Sequence, residues 1–283
     1  MTMTIHLDSG KIIENEQIAE DYLVMSVLLS TRLDSALPGQ FMMIRKQGVQ
    51  DPLLRRPLGL YGVFQTEAGT VLEFLYRVVG KGTTALSRLV AGDTVDILGP
   101  LGKHFDIMPE RSHIILLAGG IGAAPLSYFL EYLVKHLDPS RERPIEKPET
   151  RKMTFYYGAE TSSTLVGLEK IKHFCSDVRI ATDDGSAGFK GTITDLLRRD
   201  LPRFDQNKTC IYSCGPTPMI RTLAQLLQPT SIPCRVSMEE RMACGIGACL
   251  GCSIKVRDPS SEWAYHQVCS DGPVFDLRDL LWK

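Results

Sequence analysis

Four cysteines near the end of the chain restrict what it can fold into. Cys244, Cys249 and Cys252 are spaced C-x4-C-x2-C, and Cys269 follows after sixteen further residues. The tail that carries them, residues 236–283, is about 48 residues long, too short to build much core of its own. Modules of that size commonly need a metal or a crosslink. The spacing matches plant-type [2Fe–2S] ligation. A structural zinc site is the other reading. Zinc ligands usually come as paired C-x2-C-like knuckles, and only one such pair stands here. Gly245, Gly247 and Gly251 permit a tight loop that brings backbone N–H groups close to the sulfurs.

The chain has eight cysteines in 283 residues, none before Cys175. A disulfide scaffold belongs to short secreted chains. Here the N-terminus has no basic region and no long apolar core, so no export signal is expected. The chain therefore reads as soluble and cytoplasmic. Cys175, Cys210 and Cys234 read as small packing residues. Cys214 precedes Gly215-Pro216 at the carboxyl end of a predicted strand. It reads either as packing or as lining a nicotinamide site. The net charge is −1, which gives no overall field for nucleic acid. No apolar stretch approaches the roughly 20 residues of a membrane span.

Three regions differ in pattern. Residues 1–108 hold short apolar or alternating runs at 22–29, 41–44, 71–79 and 94–97, separated by Gly and Pro. Such a run of short strands predicts an antiparallel β-barrel or sandwich. Residues 109–235 alternate strand and helix. Strands are expected at 114–118, 153–157, 178–181 and 210–213. Helices are expected at 125–137, 164–174, 194–199 and 217–227. That alternation predicts a parallel α/β sheet for nucleotide binding. Residues 138–152, rich in Pro and charge, read as a surface connection. Residues 236–283 form the cysteine module.

Gly119-Gly120-Ile121-Gly122 follows the first buried strand and opens a helix. Glycines there let the backbone approach a pyrophosphate at a helix N-terminus. Glu160 follows the next strand, where a reader of a 2′-phosphate would be Arg, which leans toward NAD over NADP. Asp183-Asp184-Gly185 reads either as a solvated turn or as part of the cofactor crevice. In the first region Arg55-Arg56-Pro57 offers a bidentate fork to phosphate. Thr83 or Thr84 would cap a short helix at 85–89. Chemistry also calls for a flavin, FAD or FMN. Nicotinamide exchanges electrons in pairs and an iron–sulfur cluster singly, so a cofactor able to do both must lie between them.

These residues together resemble the electron-transfer subunits of NAD-linked, two-protein dihydroorotate dehydrogenases, within the ferredoxin–NADP reductase superfamily. The segment from Met238 to Cys249 (MEERMACGIGAC) carries most of the likeness, and Asp271-Gly272-Pro273-Val274-Phe275 matches the family's ending. The resemblance implies an FAD-binding antiparallel β-barrel, an NAD-binding α/β domain and a C-terminal [2Fe–2S] module held by Cys244, Cys249, Cys252 and Cys269. It implies flavin contacts at Arg56, Pro57, Leu58, Gly59, Leu75, Tyr76, Arg77, Gly82 and Thr83. Gly120, Gly122, Cys214, Gly215 and Pro216 match its nicotinamide side. Gly59 stands where the family carries a serine near flavin N5, so that hydroxyl is missing. The implied partner is an FMN-containing catalytic subunit that oxidises dihydroorotate in pyrimidine biosynthesis, in a heterotetramer of two subunits of each kind. Related subunits serve sulfhydrogenases and NADH-dependent ferredoxin:NADP reductases, so an NAD(P)H:acceptor oxidoreductase is the alternative. Some of those replace one cluster cysteine with Asp. All four stand here, which favours the dihydroorotate group. A redox-sensing or zinc-stabilised binding module without turnover is a third reading.

Overall fold

The computed structural model describes residues 5–33, 36–137 and 151–282. Of the expected surface connection, residues 138–150 lie outside the described residues.

The first region is one antiparallel sheet of seven strands: β1 (His6–Ala19), β2 (Tyr22–Leu29), β3 (Phe41–Lys46), β4 (Arg56–Gly59), β5 (Gly62–Thr66), β6 (Gly69–Arg77) and β7 (Thr94–Leu101). Its strand order is β4-β3-β7-β1-β2-β6-β5, curled into a half-barrel. Side chains alternate between its faces, as strand geometry requires. Met25, Val27 and Leu29 meet Leu72, Phe74 and Tyr76 in the barrel core. Tyr22 and Leu75, one residue out of phase, point to the opposite face. The helix expected at 85–89 starts earlier, as α1 (Lys81–Ser87), directly after Gly80. Thr83 lies inside it. Its hydroxyl accepts from the backbone N–H of Val79 (3.0 Å) and Gly80 (3.2 Å), which ties down the preceding turn.

The second sheet has the parallel strands β8 (His113–Gly119), β9 (Lys152–Ala159), β10 (Val178–Thr182), β11 (Phe189–Lys190), β12 (Thr209–Cys214) and β13 (Cys234–Ser237). The helices α2 (Ala123–Leu137), α3 (Leu168–Phe174), α4 (Ile193–Asp200) and α5 (Thr217–Leu227) cover it. Helix α3 begins later than the expected 164, because Gly167 takes a left-handed φ of 71° and residues Ser162–Thr164 form a separate 3-10 turn. The cysteine tail adds a hairpin, β14 (Ser253–Asp258) and β15 (Ser261–Gln267), and a last strand, β16 (Val274–Asp276). Strand β16 pairs antiparallel with β13, so the sheet order is β11-β10-β9-β8-β12-β13-β16. The tail is thus bonded into the edge of the α/β sheet, and its buried Cys252, Val256, Val268 and Cys269 share one core with that sheet.

Strand order reverses at β8, which has β9 on one side and β12 on the other. Ligands of open α/β sheets bind at that switch point, outside the carboxyl ends of the strands. Helix α2 leads from it and packs on the barrel: the Tyr128 ring joins the barrel core and its hydroxyl donates to the Ala36 carbonyl at 2.9 Å.

Candidate functional site

Two cavities open along the seam between the sheets. The barrel-side cavity, about 420 Å³, is walled by Pro57, Leu58, Gly59, Leu75, Tyr76, Arg77 and Thr83 from the barrel. Ile121, Ala124, Pro125 and Cys214 close it from the α/β side, and Ser237, Met238, Glu239, Glu240 and Met242 from the chain leading to the cysteine loop. Tyr76 is 2% exposed, its ring sits in the barrel core and its hydroxyl donates to Asn15 Oδ1 at 3.0 Å. Burial pushes that phenol up to about 12, so it stays protonated. Arg56 and Gly82 fall outside this wall. The Arg56 side chain lies flat against Gly82, where a Cβ would come within 1.9 Å of its Nε, and its Nη1 donates to the carbonyls of Leu54 and Arg55. The arginine is thereby held at the barrel edge beside the helix α1 turn. Nothing closer than Pro125, 3.9 Å from a Cβ, occupies the space in front of Gly59.

The second cavity, about 310 Å³, lies over the carboxyl ends of β8, β9, β10 and β12. Gly119, Gly120, Gly158, Gly215 and Pro216 give it a backbone floor, while Glu160, Thr164 and Asp183 stand around it. Gly122 is not in this wall. A Cβ there would lie 2.2 Å from the Cys214 carbonyl oxygen, so its role is to let the turn after β8 close against the end of β12. Cys214 is 1% exposed and reaches the barrel-side cavity rather than this one. Burial raises its thiol far above the ordinary range, which keeps it neutral. Cys214 is thus packed, and it also forms part of the barrel-side wall. Cys175, Cys210 and Cys234 are buried as expected.

The two cavities share Arg77, Ile121 and Glu239. Arg77 lies over the Tyr22 ring, 5.4 Å from its centroid. Desolvation in the cleft pushes the Glu239 carboxyl up. Sequence reasoning missed Glu239, Ile121 and Met242. A signal for the first and last was their place within the MEERMACGIGAC segment, between the last parallel strand and the first cluster cysteine.

The cysteine loop is shaped by its amides. Gly247 N–H donates to Cys269 Sγ at 3.1 Å, Cys249 N–H to Cys244 Sγ at 3.4 Å, Ile246 N–H to Cys244 Sγ at 3.5 Å, and Cys269 N–H to Cys252 Sγ at 3.4 Å. Gly245 and Gly247 take φ values of 76° and 81°, which turns these N–H groups inward. A Cβ on Gly245 would lie 2.6 Å from Met43 Cγ, so the loop is pressed onto the barrel. Among the described residues, no three Cys, His, Asp or Glu side chains gather as they would around one metal ion. A two-iron cluster does not ask for that, because each iron takes two thiolates and sulfides bridge the irons. Inward amides on three of the four sulfurs fit such a cluster better than a single zinc. Cys252 and Cys269 are buried and Cys249 is exposed, so the loop has an inner and an outer side. Ile246 and Leu250 project from it, 51% and 62% exposed.

Comparison with known proteins agrees with this geometry. The iron–sulfur cluster binding domain of dihydroorotate dehydrogenase B matches residues 239–281, and the oxidoreductase NAD-binding domain matches residues 116–225. The electron transfer subunit of dihydroorotate dehydrogenase B (NAD(+)) from Desulforamulus reducens is 38% identical over 249 residues, 88% of each chain. That from Bacillus caldolyticus is 40% identical over 246 residues, 86% of each chain. A solved NADH-dependent reduced ferredoxin–NADP oxidoreductase, studied for flavin-based electron bifurcation, superposes with a TM-score of 0.77 at 28% identity. It covers all of this chain and 92% of its own. The half-barrel, the α/β sheet and the amide-lined cysteine loop are therefore those of a known lineage, and the chain belongs to the family of electron transfer subunits of NAD-linked dihydroorotate dehydrogenase B.

Proposed function

We propose that this chain takes electrons from a dihydroorotate-oxidising partner at Cys244, Cys249, Cys252 and Cys269 and delivers them as hydride to NAD⁺. FAD in the barrel-side cavity supplies the exchange between single electrons and pairs. The observation that carries this reading is the shared wall. The barrel-side cavity meets the nucleotide cavity at Arg77, Ile121 and Glu239, and meets the cluster loop through Met242, two residues before Cys244. Pro57, Leu58, Gly59, Leu75, Arg77 and Thr83 would hold the flavin, with Arg56 and Gly82 shaping the barrel edge beside it. Gly120, Gly215 and Pro216 would receive the dinucleotide, with Gly122 and Cys214 setting the spacing of its floor. Glu160 and Asp183 favour NAD, because two carboxylates repel a 2′-phosphate and accept hydrogen bonds from ribose hydroxyls.

The outer side of the loop, with Ile246, Leu250 and Cys249, would dock on an FMN-containing catalytic subunit, two of each subunit forming the assembly. The four cysteines outside the cluster loop, Cys175, Cys210, Cys214 and Cys234, are free thiols, which suits a reducing cytoplasm. Among the described residues no helix is long and apolar enough to cross a membrane. The test is co-expression with the catalytic subunit. The purified complex should contain FAD and about two irons per cluster, should reduce NAD⁺ when given dihydroorotate, and should have the mass of a heterotetramer by light scattering. A colourless, zinc-only protein, or a loaded complex inert to dihydroorotate, would refute the reading. The likeness to the ferredoxin–NADP oxidoreductase over the whole chain supports a second reading, an NAD(P)H:acceptor subunit. Reduction of a ferredoxin by NADH without the catalytic subunit would favour it.

A further inference from the structure

Two carboxylates and one ammonium meet where the barrel and the α/β domain touch. Lys170 on α3 donates from Nζ to the Tyr61 carbonyl at 2.8 Å. The same Nζ lies 3.2 Å from Glu131 Oε2 on α2 and 3.9 Å from Glu73 Oε2 on β6. It also stands 4.1 Å above the centroid of the Tyr61 ring. The ammonium thus has one hydrogen-bond acceptor, the Tyr61 carbonyl, and two ion-pair partners, and two of these three neighbours come from the barrel. Glu131 is 5% exposed, and its other oxygen takes Lys135 Nζ at 2.6 Å. Desolvation raises the Glu73 carboxyl while Lys170 opposes that rise.

This clasp lies beside an apolar seam of Tyr22, Tyr61 and Leu75 from the barrel against Ala124 and Val166 from the other domain. Tyr22, Leu75 and Ala124 are also cavity walls, whereas Lys170, Glu131, Glu73 and Tyr61 line neither cavity. The clasp therefore stands outside both cavities. It can set how the two cavity-bearing domains meet.

We infer that Lys170 is a positioning residue that fixes the angle between barrel and α/β domain, and so the approach of nicotinamide to flavin. The inference rests on the function proposed above. Hydride transfer is steep in geometry, and about 1 Å of misplacement costs on the order of 100-fold in rate. An ion pair that merely added stability would, when removed, lower the melting temperature and leave hydride transfer at saturating NADH intact.

The test uses the flavin- and cluster-loaded protein with K170M, K170R and the triple variant K170M/E131Q/E73Q, in which all three side chains are uncharged. Flavin content, iron content, NADH affinity, single-turnover flavin reduction by NADH, and hydrogen exchange in peptides 69–77 and 123–137 are measured. Lys170→Met should slow flavin reduction about 10- to 100-fold at saturating NADH, with affinity and cofactor content nearly unchanged and exchange raised in both peptides. Lys170→Arg, which keeps charge and donors, should recover most of the rate. The triple variant removes the cost of orphaned carboxylates, and the Lys135 it unpairs is 57% exposed and stays hydrated, so it should melt near wild type and still transfer slowly. A rate within twofold of wild type in K170M or in the folded triple variant would overturn the inference. If NADH fails to reduce even the wild-type flavin, the function reading fails. Hydrogen exchange then decides the clasp alone, and unchanged exchange overturns it.

Discussion

Gly120 and Gly122 stand two residues apart in one turn, yet a single methyl group should act differently at each. A Cβ on Gly122 would lie 2.2 Å from the Cys214 carbonyl oxygen, 2.4 Å from its carbon and 2.8 Å from the Gly215 nitrogen. Ordinary contact begins near 3.4 Å. All three neighbours are backbone, so no rotamer change relieves the clash. The turn after β8 must separate from the end of β12. Overpacking of this kind costs about 1–3 kcal/mol, and the rigid partners put Gly122→Ala at the upper end. For a domain of this size that corresponds to a fall in melting temperature of about 6–12 °C. Gly120 is left-handed, with φ of 53°, and a Cβ there meets nothing within 4 Å. Gly120→Ala then carries only the left-handed backbone strain, about 1 kcal/mol, or about 2–4 °C. Because Gly120 lines the nucleotide cavity, its methyl should weaken NADH binding with most stability kept. Differential scanning fluorimetry and NADH titration separate the two effects. A Gly122→Ala protein melting within 2 °C of wild type, or below which Gly120→Ala melts, would refute the packing argument.

Other expectations follow from the same geometry. Asp183→Ser with Glu160→Arg should move preference from NADH toward NADPH by at least tenfold in kcat/KM, since it replaces repulsion of a 2′-phosphate with attraction. Unchanged preference would place the adenosine ribose elsewhere. Leu250→Asp should weaken association with the catalytic subunit about tenfold or more, by burying a charge at the interface, while flavin and iron content stay constant. Equal affinity by surface plasmon resonance would remove Leu250 from the interface. Asp200 is 1% exposed and bonds Arg179 at 2.6 Å and the Tyr156 hydroxyl at 2.9 Å. Asp200→Ala should cost about 1.5–3 kcal/mol, because it takes the acceptor from the Tyr156 hydroxyl and one of two carboxylate partners from Arg179, which keeps Asp177 at 3.1 Å. Burial alone would raise the Asp200 carboxyl, but Arg179 and Tyr156 hold it below its ordinary value of 3.8. A depressed folded-state value contributes stability that is present above pH 3.8 and is lost as the pH falls further. Wild-type stability should thus drop below about pH 4 more steeply than that of Asp200→Ala, as acid melts would show.

What could be read from the residues follows from how local each signal is. The run Ile114–Leu117 is buried on both faces and continuous, and the cysteine spacing is a contact pattern written within nine residues. Strand β1 gives no such signal. It is mostly polar and solvated, with Gly10 and Ile12 buried, and it exists because β2 and β7 pair with it on either side. Strand β16 is three residues long and depends on β13, some forty residues earlier. The residues proposed to hold the flavin divide the same way. Pro57, Leu58 and Gly59 line the cavity as a contiguous stretch, but the direction of Arg56 is decided by Gly82, brought beside it only by folding.

The junction of the two cavities shows why the site as a whole was less legible than its parts. Arg77 ends β6, Ile121 sits in the turn after β8, and Glu239 follows β13, so the shared wall is drawn from three segments more than forty residues apart. No spacing rule joins them. Their meeting is set by how the barrel docks on α2, through Tyr128 and the apolar seam. A change at the seam can therefore alter electron transfer without touching any residue that a motif would mark. Substitutions in the cluster loop should act on potential and partner affinity, and those in the glycine turn on nucleotide binding. Substitutions along the seam should act on the rate between them.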